Sequence, residues 1–377
     1  LSRYLVILCT LLIVSPSFAD IHPRIIYAQK TKFFFSKGKR YLPPEPIMPG
    51  KNAIIGKDPL LDTSWHLERI GALDVWNTVT RGRPDITIAV LDSGINYNHP
   101  EFIDRIKRKP IEFTRNKIDD DANGLIDDYM GWNFTNSMIY PWDDNGHGTF
   151  VASIIAASAN NTVGGAGVCP ECSLLPIRFT DEDGSGYDED AISAIRLAVK
   201  EKVSVINYSN IGEGFDQDFH DAMEEALKND IVVVVSAGNH GENNDRKDYY
   251  PANSKLPNVL TVAAARRDGH LWQGSSYGPK KVHVAAPGTT IWGLWVDGKW
   301  YRGEGTSLAA PVVSGAVGLV RSAAPHISAT DIVKIMINTS TPTKGLQGMV
   351  VSNGMINVQA AIQCALDSSL PCLKKKK

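Results

Sequence analysis

After residue 19 the sequence shows no apolar run that reads as long enough to cross a bilayer, so no stable membrane insertion is expected. Cysteine is scarce, with five in 377 residues, and Cys9 lies inside the apolar leader. The one Cys-x-x-Cys, Cys169-Pro170-Glu171-Cys172, has no second copy to complete a zinc site and nothing beside it to support a redox pair. A basic excess is also missing. From Asp58 to Leu373 there are 26 Lys and Arg against 39 Asp and Glu, a balance that argues against nucleic-acid partners. The net charge of -2 conceals this, because residues 20–57 carry eight basic residues against two acids. Four lysines close the chain.

What is present begins with a leader. Arg3, the apolar run Leu5 to Val14 and the small-residue end Ser17-Phe18-Ala19 read as a signal peptide over residues 1–19. A secreted or periplasmic, extracytoplasmic location follows. In that setting the four remaining cysteines favour two disulfides, with Cys364 and Cys372 the better pair and Cys169–Cys172 a tight ring. Residues 20–57 read as a basic pro-segment or linker. Lys37-Gly38-Lys39-Arg40, just before Pro43-Pro44-Glu45-Pro46, suits a processing site. The main domain is expected over residues 58–366, followed by a tail over 367–377.

Within that domain apolar runs alternate with amphipathic stretches. Ile86 to Leu91, Ser173 to Phe179, Val203 to Asn207, Ile231 to Val235, Val259 to Ala264 and Val282 to Ala285 read as strands. Phe150 to Ala157, Glu189 to Lys200, Phe219 to Lys228, Ala309 to Leu319 and Ala329 to Ile337 read as helices. The alternation predicts an α/β fold, a doubly wound and mostly parallel sheet flanked by helices. Ligands of such sheets bind beyond the carboxyl ends of the strands, where Asp92, Asn207 and Asn239 fall.

Three stretches carry chemistry. Gly305-Thr306-Ser307 turns sharply into a small-residue helix, which puts Ser307 beside first-turn N–H groups. Alone this is a serine cap. Asn145-Gly146-His147-Gly148-Thr149 places an imidazole between two glycines at another helix start, and Asp92 closes the strand Ile86 to Leu91. Acid, base and nucleophile therefore occur in the order Asp, His, Ser, which differs from the chymotrypsin order and from Gly-x-Ser-x-Gly hydrolases.

At these residues the chain resembles the subtilisin-like serine proteases, the subtilases. The matching stretches are Ala89 to Gly94, Asn145 to Thr149, Ser236-Ala237-Gly238-Asn239 and Gly305 to Ser307, with Tyr250-Pro251-Ala252 and Ala286-Pro287-Gly288 agreeing. The resemblance implies a secreted endopeptidase acting on protein or peptide substrates through an acyl-enzyme, with Ser307 the nucleophile, His147 the general base and acid, and Asp92 its orienter. It implies Asn239 as oxyanion donor and Ser209, Gly212, Ala237, Gly238 and Tyr249 as substrate-binding residues. A silent subtilase-fold binding protein, or an esterase or peptide ligase using the same residues, stays open. The sequence departs from the family at Leu308, where methionine is usual, at Asn207 to Gly212, in residues 20–57, too few to match the common folded pro-domain, and in a long insertion, Arg105 to Tyr140.

That insertion contains Asp119-Asp120-Asp121-Ala122-Asn123-Gly124-Leu125-Ile126-Asp127-Asp128. Asp119, Asp121 and Asn123 take positions 1, 3 and 5 of an EF-hand-like loop, and Gly124 takes position 6. The Leu125 carbonyl supplies position 7, and Asp127 or Asp128 closes the set. Met130 stands where an EF-hand needs glutamate, so a shorter structural calcium site is expected. Nothing calls for a second subunit, and a monomer is expected.

Overall fold

The computed structural model describes residues 25–28, 57–114, 116–367 and 371–373. The signal-peptide, basic-cluster and lysine-tail expectations fall outside them. In chain order the first strands are β1 (Ile25–Ala28), β2 (Thr87–Asp92), β3 (Trp132–Asn133), β4 (Ser173–Arg178) and β5 (Ser185–Tyr187). Next come β6 (Val205–Tyr208), β7 (Asn210–Glu213), β8 (Val232–Ser236), β9 (Tyr249–Tyr250) and β10 (Val259–Ala265). The last are β11 (Val284–Pro287), β12 (Thr289–Leu294), β13 (Trp300–Glu304), β14 (Thr341–Pro342) and β15 (Gly354–Met355). The helices are α1 (Trp65–Arg69), α2 (Ala72–Thr78), α3 (His147–Ala156) and α4 (Asp188–Lys200). They continue with α5 (Gln217–Lys228), α6 (Thr306–Ala323), α7 (Ala329–Asn338) and α8 (Val358–Leu366).

The main sheet has nine strands in the order β14-β15-β11-β10-β8-β6-β2-β4-β3, parallel except where β14 meets β15. Side chains alternate between the two faces of a strand. Ile88 and Val90 of β2, with Val232 and Val234 of β8, join the core that holds α3 and α6. Ala89, Leu91, Val233 and Val235 join the opposite core, under α4 and α5. Each strand is thus apolar on both faces, the burial that a doubly wound sheet demands. Three flanking helices start on side-chain caps: Asp216 accepts from the Phe219 amide, Ser328 from Asp331 and Asn357 from Ala360.

One expectation needs correction. Helix α6 is long and apolar enough to span a membrane. Every residue from Thr306 to Ser322 is buried inside the protein, so its apolar length reflects a central core helix. Both cysteine pairs are joined, Cys169–Cys172 and Cys364–Cys372. Both cysteines of the first ring are fully buried beside Gly82, where a Cβ would come within 2.6 Å of Cys169 Sγ.

Candidate active site

Asp92 is the last residue of β2 and is fully buried. His147 opens α3, and its Nδ1 lies 2.8 and 2.9 Å from the two Asp92 carboxylate oxygens. The flanking glycines permit this approach. A Cβ at Gly146 (φ 108°) would overlap the Trp295 ring at 2.2 Å, and one at Gly148 would sit 2.1 Å from the Gly94 carbonyl oxygen. Burial pushes the His147 pKa down, but the charge and hydrogen bond of Asp92, helped by Asp143, outweigh it and leave it raised.

Sequence reasoning missed Asp143. This buried carboxylate accepts from the amides of Asn145, Gly146 and Thr149 and from the hydroxyls of Ser93 and Thr149. The Ser93 hydroxyl in turn accepts from the Gly148 amide at 2.9 Å. The start of α3 is thereby tied to the end of β2, which fixes His147 against Asp92. An aspartate just before an Asn-Gly helix start was the available signal, as an anionic cap.

Ser307 is the second residue of α6 and fully buried. Pro311 lies inside α6, in its second turn. It lacks the N–H that would bond the Ser307 carbonyl four residues back. The Ser209 hydroxyl takes that carbonyl instead, donating to it at 3.1 Å, and itself accepts from Asn207 Nδ2 at 3.0 Å. Ser314 donates to Asn207 Oδ1 at 2.8 Å, completing the tie between α6 and the end of β6.

Asn239 follows β8. Its Oδ1 accepts from the Thr306 amide (2.9 Å) and the Thr306 hydroxyl (2.7 Å). A backbone amide only donates, so the oxygen faces Thr306 and the NH2 group is turned away. Among the described residues Asn239 Nδ2 is buried with no hydrogen-bond partner, as is His147 Nε2. A Cβ at Gly305 (φ 153°) would lie 3.3 Å from Ser307 Oγ and 3.4 Å from Asn239 Nδ2. Hydroxyl and amide therefore converge on one small space, which only glycine leaves open.

Beside this centre β7 leaves the main sheet at Ser209 and joins a second sheet, ordered β5-β1-β7-β9. Strand β1 fills the gap between β5 and β7, antiparallel to both. Ile25, Ile26 and Tyr27 pair with Tyr187, Gly186 and Ser185, while Tyr27 and Ala28 pair with Ile211 and Asn210. The groove holds an extended chain by both edges. Along it a hollow is lined by Tyr208, Phe215, Phe219, Met223 and Tyr250, with Asp188 among them. Gly212 of β7 borders this hollow. Ala237 is buried, and the Gly238 amide donates to the Thr306 hydroxyl at 3.2 Å. Tyr249 points inward and is 1% exposed. Its ring stacks on His240 at 4.8 Å, its hydroxyl donates to Glu242, and Lys247 lies over the ring.

A model of the subtilase family matches residues 83–355. The chain belongs to the subtilase family. Subtilisin-like protease 1 of Plasmodium vivax is 31% identical over 82% of this chain and 52% of its own length. The Plasmodium falciparum (isolate 3D7) protein of that name is 32% identical over 74% of the chain and 44% of its own length. An intracellular serine protease of Paenibacillus polymyxa is 35% identical over 68% and 72%. This subtilase thus spans about half the length of the Plasmodium relatives.

Two groups of acids have the donor chemistry for a cation. In the insertion, Asp119 and Asp121 come together with Glu112, a residue outside the predicted set. Asp127 and Asp128 turn to other partners: the Lys117 amide reaches Asp127 Oδ2, and Lys109 reaches Asp128. Asn123 Oδ1 accepts from the Leu125 amide, closing the turn. The second group was not anticipated. Asp58 accepts from the amides of Asn160, Asn161 and Thr162, and Glu101 accepts from Asn161 Nδ2. Glu101 Oε1 is buried without a partner among the described residues. Burial, followed by the neighbouring Asp58 charge, pushes the Glu101 pKa up to about 9 against the pull of Asn161. A buried, uncompensated acid pair of this kind fits an oxygen-seeking divalent ion.

Proposed function

We propose that this subtilase is a serine endopeptidase working through Asp92, His147 and Ser307. An extended substrate lies in the groove between β5 and β7, held by main-chain hydrogen bonds. Ser307 Oγ attacks the scissile carbonyl carbon while His147 Nε2 takes the hydroxyl proton, and Asp92 holds Nδ1–H and stabilises the imidazolium. The carbonyl oxygen becomes an oxyanion and receives a hydrogen bond from Asn239 Nδ2, next to the first-turn amides of α6. The C–N bond then breaks, and His147 passes its proton to the leaving amine. Water, deprotonated by His147, releases the acyl group and regenerates Ser307. The observation that carries this reading is the placement of two side chains, His147 held through Nδ1 against Asp92 and Asn239 with Nδ2 beside the space next to Ser307 Oγ, with His147 Nε2 and Asn239 Nδ2 both buried and unpartnered among the described residues. Buried polar atoms are nearly always paired, so a base and a donor left open mark groups available to a reacting substrate.

Three further readings belong to it. The segment over residues 20–57 acts as a zymogen segment, because β1 occupies the strand position a substrate would need. Calcium stabilises the fold, held by Asp58 and Glu101 with Asn161 nearby and by the acidic insertion. Ser209, Gly212, Ala237, Gly238 and Tyr249 line the substrate path in an extracytoplasmic, monomeric enzyme. The test is a peptide-library digest with leader-free protein and its Ser307→Ala variant. Cleavage within peptides by the first and not the second is expected. Ester hydrolysis without internal peptide cleavage would refute the endopeptidase.

A further inference from the structure

Asn210 belongs to β7, the strand that borders the groove opposite β5, and it is fully buried. Its backbone pairs with Ala28, yet its side-chain Nδ2 and Oδ1 both lack a hydrogen-bond partner among the described residues. A buried carboxamide with neither its donor nor its acceptor paired is a costly arrangement, and it occurs here in the wall of the groove.

Strand register shows what these atoms face. Residues directly opposite each other in an antiparallel pair share a face of the sheet, as do residues two apart in one strand. Ala28 pairs with Asn210 and Ile26 with Gly186, so Asn210 and Gly186 look to the same side. A Cβ at Gly186 would lie 3.1 Å from Thr180 Cγ2, so that side is the interior one. Thr180 is itself fully buried, and its Oγ1 has no partner among the described residues. The inward face of the groove therefore holds a carboxamide and a hydroxyl that the described residues leave open. The register of β1 brings alanine opposite Asn210, a residue type with no hydrogen-bonding side chain.

We propose that Asn210 is a specificity-determining residue, selecting substrates whose residue opposite it carries a hydroxyl or a carboxamide. Ser, Thr, Asn and Gln are then favoured there over apolar side chains of similar shape. The inference deepens the protease reading and rests on the groove being the substrate site. A hydroxyl or a carboxamide both donates and accepts, so one such side chain can serve Oδ1 and Nδ2 together. An apolar side chain fills the same space, excludes water and leaves both atoms unpaired. A site that hydrogen-bonds a substrate group discriminates more sharply than one that only fills space.

The experiment uses the full chain in a Ser307→Ala background, which prevents self-digestion, with β1 as the bound strand. Ala28→Thr is compared with Ala28→Val, because the two side chains share a branched shape and differ in the hydroxyl. Each is made with Asn210 in place and with Asn210→Leu. Amide hydrogen exchange of Ile26 and Tyr27 reads how often the strand leaves the groove. Beside Asn210 the threonine variant should be protected about tenfold more than the valine variant, and beside Asn210→Leu by less than about twofold. Equal protection of the two beside Asn210 would overturn the proposal, and this comparison stands even where Asn210→Leu does not fold. A threonine advantage that survives Asn210→Leu would overturn it too, since another group would be making the bond. Unprotected Ile26 and Tyr27 amides in every variant would overturn it together with the groove reading.

Discussion

Asn239 does two jobs that substitution can separate. Its Oδ1 receives two hydrogen bonds from Thr306, and its Nδ2 faces the space beside Ser307 Oγ. Asn239→Leu removes both. The lost donor should lower kcat by about 10²–10³, or roughly 3–4 kcal/mol of barrier, with KM little changed; that size is established for one such donor in this family rather than derived from this site. The lost acceptor removes two hydrogen bonds made by Thr306, which should cost about 0.5–1.5 kcal/mol of stability for each bond. Asn239→Asp retains the acceptor and replaces only the donor, now with an oxygen that repels an oxyanion. It should therefore keep most of the melting temperature and lose at least as much kcat as the leucine variant. Kinetics on one peptide substrate, with a thermal melt of each variant, test this. A leucine variant within threefold of wild-type kcat would refute the oxyanion role. An aspartate variant as destabilised as the leucine one would refute the role of Oδ1.

His147 must be neutral to accept a proton, and its pKa is raised above the ordinary histidine value. The acid limb of kcat/KM should therefore lie above about pH 6.5, and a limb well below that would contradict the Asp92 pairing. His66 is buried and His283 half-buried, and desolvation lowers each pKa to about 4. A folded-state pKa below the unfolded value means the unfolded chain binds more protons, so stability should fall as pH drops from about 6.5 toward 4, by roughly 3 kcal/mol per histidine. Denaturant melts of His66→Gln and His283→Gln should show a shallower acid loss, and an unchanged slope would reject the assignment. Tyr249 is buried and stacks on His240, the residue after Asn239; if it bounds the pocket before the cut, wild type should favour small or medium side chains there and Tyr249→Gly should gain bulky ones. A wild-type preference for Phe there, or no gain in the variant, would exclude a pocket shortened by Tyr249.

Much of this was written locally. The strands of the main sheet show as short β-branched runs because they are buried on both faces, and Val232 to Val235 needs no partner to be recognised. His147 and Gly305 were legible because a glycine that must admit a neighbour sits next to the group it admits. What escaped depends on distant partners. Nothing in Thr289–Leu294 and Trp300–Glu304 marks them as a hairpin, since their polar and aromatic residues fit loop and strand equally. Glu112 was invisible because its meaning comes from acids seven and nine residues on, and Glu101 because it is completed by Asp58 and Asn161. Lys109 escaped for the same reason: Glu201, 92 residues away, supplies one of its partners. The pairing of β1 with β5 and β7 has no local sequence signature either.

The central claim is that Ser307 is a nucleophile activated by His147. Leader-free protein and its His147→Ala variant can be treated with a fluorophosphonate and the adducts mapped by peptide mass spectrometry. The account predicts one stoichiometric adduct on the peptide containing Ser307 in wild type and almost none in the folded variant. An adduct elsewhere, or equal labelling of Ser307 in both proteins, would contradict it.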